Sequence, residues 1–143
     1  MNQPKYLDDQ IDFLVSEGND RLDEEDIEGA IAKWTQALTL LPEPKADWEA
    51  FIWLSTSLGD AHYRRKRYGL ARHHFLDALN APGGIDNPFI HYRLGQCQLK
   101  LGERAKAMEE LLKAYMLDGE DIFTMEDDGM TWLQRLRDGR LVD

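Results

Sequence analysis

The stretch IEGAIAKWTQALTLL, residues 27–41, decides how the fold is read. Its apolar side chains Ile27, Ala30, Ile31, Trp34, Ala37, Leu38 and Leu41 recur at intervals of three and four residues, which places them along one stripe of an α-helix. No stretch of the chain alternates apolar and polar residues with period two between Gly or Asn turns, so strands are not expected. The fold class is all-α.

Working outward from that helix, the chain repeats itself. Gly18 is followed by Ala30, Trp34 and Ala37; Gly59 by Ala71, Phe75 and Ala78; Gly95 by Ala107, Leu111 and Ala114. In each segment a small residue is followed at plus four by a large apolar one and at plus seven by alanine, a threefold register typical of a repeat architecture. The physical reading is close approach: glycine and alanine sit where two helices meet, and the bulky residue fills the space beside them. The glycines lie 41 and 36 residues apart, so inserts separate the units.

With these residues in place the chain resembles the tetratricopeptide-repeat family of helical hairpins. The matching positions are Leu14, Gly18, Ala30, Trp34, Ala37 and Pro42 in the first unit. They are Leu58-Gly59, Tyr68, Ala71, Phe75 and Ala78 in the second, and Leu94-Gly95, Gly102, Ala107 and Ala114 in the third. Glu17 departs from the family's usual leucine, and Gly83 and Gly119 stand where a closing proline is usual. The resemblance implies a right-handed superhelical array of three hairpins in a single domain, with repeats over about 11–44, 52–85 and 88–121.

Turn chemistry agrees with that division. The prolines of LPEPK (41–45) stop a helix. In NAPGGIDNPF (80–89), glycine ends another, and Asn87 and Pro88 are suited to the N-cap and first position of the next. After the third unit, an acidic break leads into an amphipathic helix at about 129–138, with Met130, Leu133 and Leu136 or Trp132 facing inward. Its expected role is to cap the last exposed apolar face.

The chain of 143 residues carries a formal net charge of −10 and a single cysteine, Cys97. One cysteine precludes an internal disulfide framework and fits a reducing compartment. No basic n-region precedes an apolar run at the N-terminus, and no apolar run approaches the roughly 20 residues needed to span a bilayer. A cytoplasmic protein without membrane partners is expected. Residues 1–30 hold ten acids against two bases, and residues 118–128 six acids and no base. Such a field repels nucleic acid and speeds encounter with a basic partner.

Catalytic signatures are missing. There is no phosphate-cradling glycine loop and no Gly-x-Ser-x-Gly elbow, so neither enzyme nor cofactor is expected. Adjacent acids such as Asp127-Asp128 and Glu109-Glu110 point in different directions on a helix and read as solvated charge. Cys97 follows Gly95 in a packed helix and reads as buried. The basic passage AHYRRKRYGLARHHF (61–75) holds three of the four histidines. His73 and His74 are neighbours, about 100° apart around a helix, which does not converge on a metal. Arg64 to Arg67 are placed at the end of the second unit's first helix, where cations suit the dipole. The rim they form is a candidate for intramolecular or partner carboxylates.

What remains is a binding surface. The resemblance implies a concave face lined by the first helix of each unit. The partner-facing set it marks is Asp12, Asn19, Asp23, Trp53, Asp60, Tyr63, Phe89, Tyr92, Arg93 and Gln96. Aromatic anchors beside carboxylates suit a protein interface. The basic clamp of the chaperone-binding members is incomplete here, with Val15 and Phe89 at two of its positions. The passages LPEPKADWEAFIWLSTSLGDAHY, NAPGGIDNPFIHYRLGQC and LLKAYMLDGEDIF look like the small bacterial repeat proteins that serve as immunity proteins against polymorphic toxins. That resemblance implies occlusion of a cognate toxin, possibly a nuclease with a basic cleft; the other reading is an adaptor for an endogenous protein or peptide.

Overall fold

The computed structural model describes residues 5–126 and 128–142; the MNQP start, Asp127 and Asp143 lie outside the described residues. Seven α-helices follow in order: α1 (Lys5–Asp23), α2 (Ile27–Leu40), α3 (Glu49–Arg64), α4 (Tyr68–Asn80), α5 (Pro88–Lys100), α6 (Arg104–Asp118) and α7 (Gly129–Asp138). Short 3-10 turns occupy 45–47, 84–86 and 121–124, and no strand occurs among the described residues. Helices α1/α2, α3/α4 and α5/α6 pair as hairpins, and each hairpin stacks on the next through α2·α3 and α4·α5.

The repeated register is a list of contacts. A Cβ built on Gly18 would enter the Trp34 ring, one on Gly59 the Phe75 ring, and one on Gly95 the Leu111 side chain. Each hairpin therefore closes glycine against the same partner position. The alanines at the other two repeated positions, Ala30, Ala37, Ala71, Ala78, Ala107 and Ala114, are all fully buried. The hairpin turns share a register too. Glu25, Lys66 and Gly102 all have positive φ, at 64°, 61° and 81°, and each is followed by the N-cap residue of the second helix, Asp26, Arg67 and Glu103. Glycine adopts that left-handed conformation freely, whereas Glu25 and Lys66 hold it at a conformational cost.

Each linker is tied to the helices it joins. Lys45 Nζ donates to the carbonyls of Leu38, Thr39 and Leu41 at the end of α2, and Trp48 Nε1 donates to the Pro42 carbonyl at 2.7 Å. At the second linker Asn87 caps α5, its Oδ1 accepting from Phe89 N at 3.0 Å, with Pro88 as the first helical residue. Both caps agree with the turn chemistry of the sequence. Helix α1 begins at Lys5, ahead of the expected start near residue 11, because Leu7 adds another apolar side chain against the first hairpin's core.

Helix α7 caps the array. Trp132, Leu133 and Leu136 pack with Ile122 and Phe123 against Tyr92, Leu111 and Ala114. Met130, expected inward, is exposed; Trp132 takes the inward place because Leu133 and Leu136 define a face that Met130 does not share.

Candidate functional site

The candidate site is the face formed by the first helices α1, α3 and α5. At the α1 end Asp12, Asn19 and Asp23 are exposed. Trp53 on α3 is 43% exposed, with its ring edge-on to Trp34 at 5.7 Å between centroids. Leu22, Trp34, Ser57, Asp60, Ala61 and Arg64 enclose a cavity of about 80 Å³ between these helices. This end is open, acidic and aromatic.

The α5 end is filled. Residues 90–98 of α5 are buried without interruption, on every side of the helix. Arg93 lies at the centre: its Nε donates to Asp60 Oδ1 at 3.0 Å, and its Nη1 donates to Gln96 Oε1 at 2.7 Å and Glu126 Oε1 at 2.5 Å. Glu126 Oε1 also accepts from Gln96 Nε2 at 3.2 Å and from the Tyr92 hydroxyl at 3.4 Å. The guanidinium carbon of Arg93 stands 4.7 Å from the Tyr63 ring centroid and 5.3 Å from that of Phe89, within cation–π range. Asp60 is shared, its Oδ2 pairing with Arg64 at 3.1 Å.

These contacts set the charge states. Burial alone would raise the Glu126 carboxyl, but the bonds from Arg93 and Gln96 hold it below the usual range. Burial likewise opposes the Arg93 cation, and the two carboxylates more than compensate. The Tyr63 and Tyr92 hydroxyls are pushed up, chiefly by burial, and stay protonated.

Of the ten residues marked in the sequence, Asp12, Asn19, Asp23 and Trp53 lie open to a partner, and Asp60, Tyr63 and Phe89 are half-buried. Tyr92, Arg93 and Gln96 are buried against the chain's own Phe123 and Glu126, so as folded they present nothing to a partner. The residue that sequence reasoning missed is Glu126, which lies in what reads as an acidic break. An arginine on a groove-facing helix position, needing a carboxylate, was the available signal.

The basic passage resolves into intramolecular pairs. Arg65 and Arg67 both reach Glu28 Oε1 of the first hairpin, at 3.3 and 2.6 Å, and Arg72 reaches Glu103 of the third at 2.7 Å. Arg64 alone of the run ends α3; Arg65 to Arg67 form the turn. His62 and His74 stack nearly parallel at 5.5 Å, and neither Nδ1 has a hydrogen-bond partner. Burial drives both rings toward the neutral form, His74 to about 4. Among the described residues no three His, Cys, Asp or Glu side chains are grouped where they could hold a metal ion. Nor is any described helix long and apolar enough to cross a membrane.

His91 and Glu110 correct a second expectation. Glu110, read as half of a solvated acidic pair, is buried and meets His91 Nδ1 at 2.5 Å, while His91 Nε2 lies 2.8 Å from the Ile85 carbonyl. A carboxylate and a carbonyl both accept, so both ring nitrogens donate and the ring is an imidazolium. Burial works against that charge, and the two bonds outweigh it, raising the His91 pKa. The pair ties the 81–87 linker to α6.

No protein-family model and no curated protein matches this chain. Solved structures do. The C-terminal TPR-containing domain of an FK506-binding protein from Plasmodium falciparum superposes with a TM-score of 0.77 at 21% identity, covering 99% of this chain and 97% of that one. The fold is that of a tetratricopeptide-repeat domain. The first TPR of Spaghetti, bound to the HSP90 peptide SRMEEVD, superposes with a TM-score of 0.67 at 15% identity, over 94% of this chain and 98% of that one. The hairpins are thus those of a tetratricopeptide-repeat fold, and in this chain the α5 end of the groove is filled by its own Glu126.

Proposed function

We propose that this chain is a protein-binding module that holds a basic partner on the open α1/α3 end of its first-helix face. The observation that carries the reading is the pairing of exposed Asp12, Asn19 and Asp23 with an exposed Trp53, while the α5 end is occupied from within. A half-exposed tryptophan among carboxylates combines an anchor with electrostatic steering. The specific form of the role is that of an immunity protein whose acidic face occludes a toxin domain with a basic cleft. Its support is the acidic field and the resemblance of three passages.

The test is co-expression with any toxin candidate found encoded beside this chain. Protection of the cell, a complex on gel filtration and an association rate that falls as salt rises are expected. Trp53→Ala should weaken the complex by about 2 kcal/mol or more. Undiminished killing with no complex would overturn the immunity role. The second reading, an adaptor for a peptide, takes its support from the peptide-bound Spaghetti domain; it predicts binding that varies little with salt if the contacts are apolar.

A further inference from the structure

The α5 end of the groove is a carboxylate-binding site with a carboxylate already in it. Arg93 is fixed on three sides by Asp60 and by the rings of Tyr63 and Phe89, leaving one arm free to reach outward. That arm, Gln96 Nε2 and the Tyr92 hydroxyl converge on a single oxygen, Oε1 of Glu126. All three donors come from α5, and the acceptor comes from elsewhere. Glu126 sits in the turn between the 3-10 segment at 121–124 and α7, whose own anchors are separate: Phe123 before it and Trp132 after it are buried in the apolar core. Within the turn Met125 and Asp128 are exposed, and Glu126 points inward. A backbone bond from Gly129 N to the Glu126 carbonyl, at 3.1 Å, joins the turn to the start of α7, so the Glu126 side chain can leave while Trp132, Leu133 and Leu136 keep their apolar anchors.

We propose that the Glu126 turn is an intramolecular competitor, which keeps the carboxylate-binding end of the groove shut to acidic segments until one displaces it. A tethered ligand acts at an effective concentration of roughly millimolar or above, so an incoming segment with the same contacts is excluded at ordinary concentrations. This inference is independent of the α1/α3 docking reading, since it concerns the other end of the face.

The test uses a synthetic peptide of residues 119–128, GEDIFTMEDD, amidated at its C-terminus and labelled for fluorescence anisotropy. Glu126→Gln removes the internal charge and should bind the peptide at least about tenfold more tightly than the wild type, the scale of one charge-assisted bond. Adding Arg93→Gln to that variant should abolish the gain, whereas Trp53→Ala should leave it. Equal affinity of the wild type and Glu126→Gln, including no binding by either, overturns the proposal. A second measurement needs no variant. In wild-type chain at millimolar peptide, hydrogen exchange at Gly129, whose N–H donates to the Glu126 carbonyl at 3.1 Å, should quicken while Trp132 to Leu136 keep their protection. Unchanged exchange at Gly129, or loss across the whole 122–136 stretch, overturns it equally.

Discussion

The two ends of the first-helix face begin from the same repeat and finish differently. On α1 the face carries exposed Asp12, Asn19 and Asp23. On α5 the positions in register with Asp12 and Asn19 carry Phe89, half-buried, and Gln96, buried together with Tyr92 and Arg93 against Phe123 and Glu126. Among the described residues the first hairpin stacks on a neighbour at its α3 side; the third has the second hairpin on one side and the 121–124 turn with α7 on the other. A repeated sequence thus sets each hairpin's inner contacts, and what covers the outer face depends on position in the array.

That contrast can be broken at its strongest point first. Phe123→Ala removes a fully buried ring packed edge-on to Tyr92 at 5.3 Å, and should cost about 3–5 kcal/mol in denaturant unfolding. Trp53→Ala at the open end should cost only about 1 kcal/mol, the scale of its edge contact with Trp34. Equal costs would mean that the two ends are equally closed. Next in size is Arg93→Ala, which takes the cation from Glu126 and leaves Asp60 with Arg64 alone. Because the Glu126 side chain is 30% exposed, roughly 2–3 kcal/mol is expected, below the range for a fully enclosed pair, by the same unfolding measurement.

The smallest effects distinguish two histidine sites, one buried and one half-buried, by the sign of their pH response. His91, with a raised folded pKa, contributes stability that is complete below the unfolded value of about 6.5 and is lost as pH rises through the folded value. His74, lowered to about 4 by burial, does the reverse: stability is full above about 6.5 and falls as pH drops toward 4. Thermal melts across pH should show His91→Gln removing the alkaline decline and His74→Gln flattening the acid one. The same slope in both variants would contradict the charge states assigned to the two rings.

Much of the fold was legible because the register is local. Gly18 with Trp34, Gly59 with Phe75, and Gly95 with Leu111 each lie sixteen residues apart and touch within one hairpin, so a spacing in the sequence is a contact in space. The site was legible only where it is open. Asp12 and Trp53 could be placed on the face from the repeat alone. The burial of Arg93 could not, since its partners Asp60 and Glu126 lie 33 residues away on either side. Glu110 escaped for a similar reason: next to Glu109 it reads as surface charge, and its partner His91 is nineteen residues distant on another helix. Met130 was misplaced because a ten-residue helix offers too few turns to separate a true inner face from a neighbouring position.

Cys97 lies at the joint between the second and third hairpins, fully buried with Ala71, Phe75 and Leu94, and burial pushes its thiol up to about 12. As the sole sulfhydryl in the chain, it makes the array self-reporting. An alkylating reagent has no other target and meets this one only when the joint parts. The labelling rate is therefore a clock for separation of the hairpins, readable as a single mass increment on the purified chain.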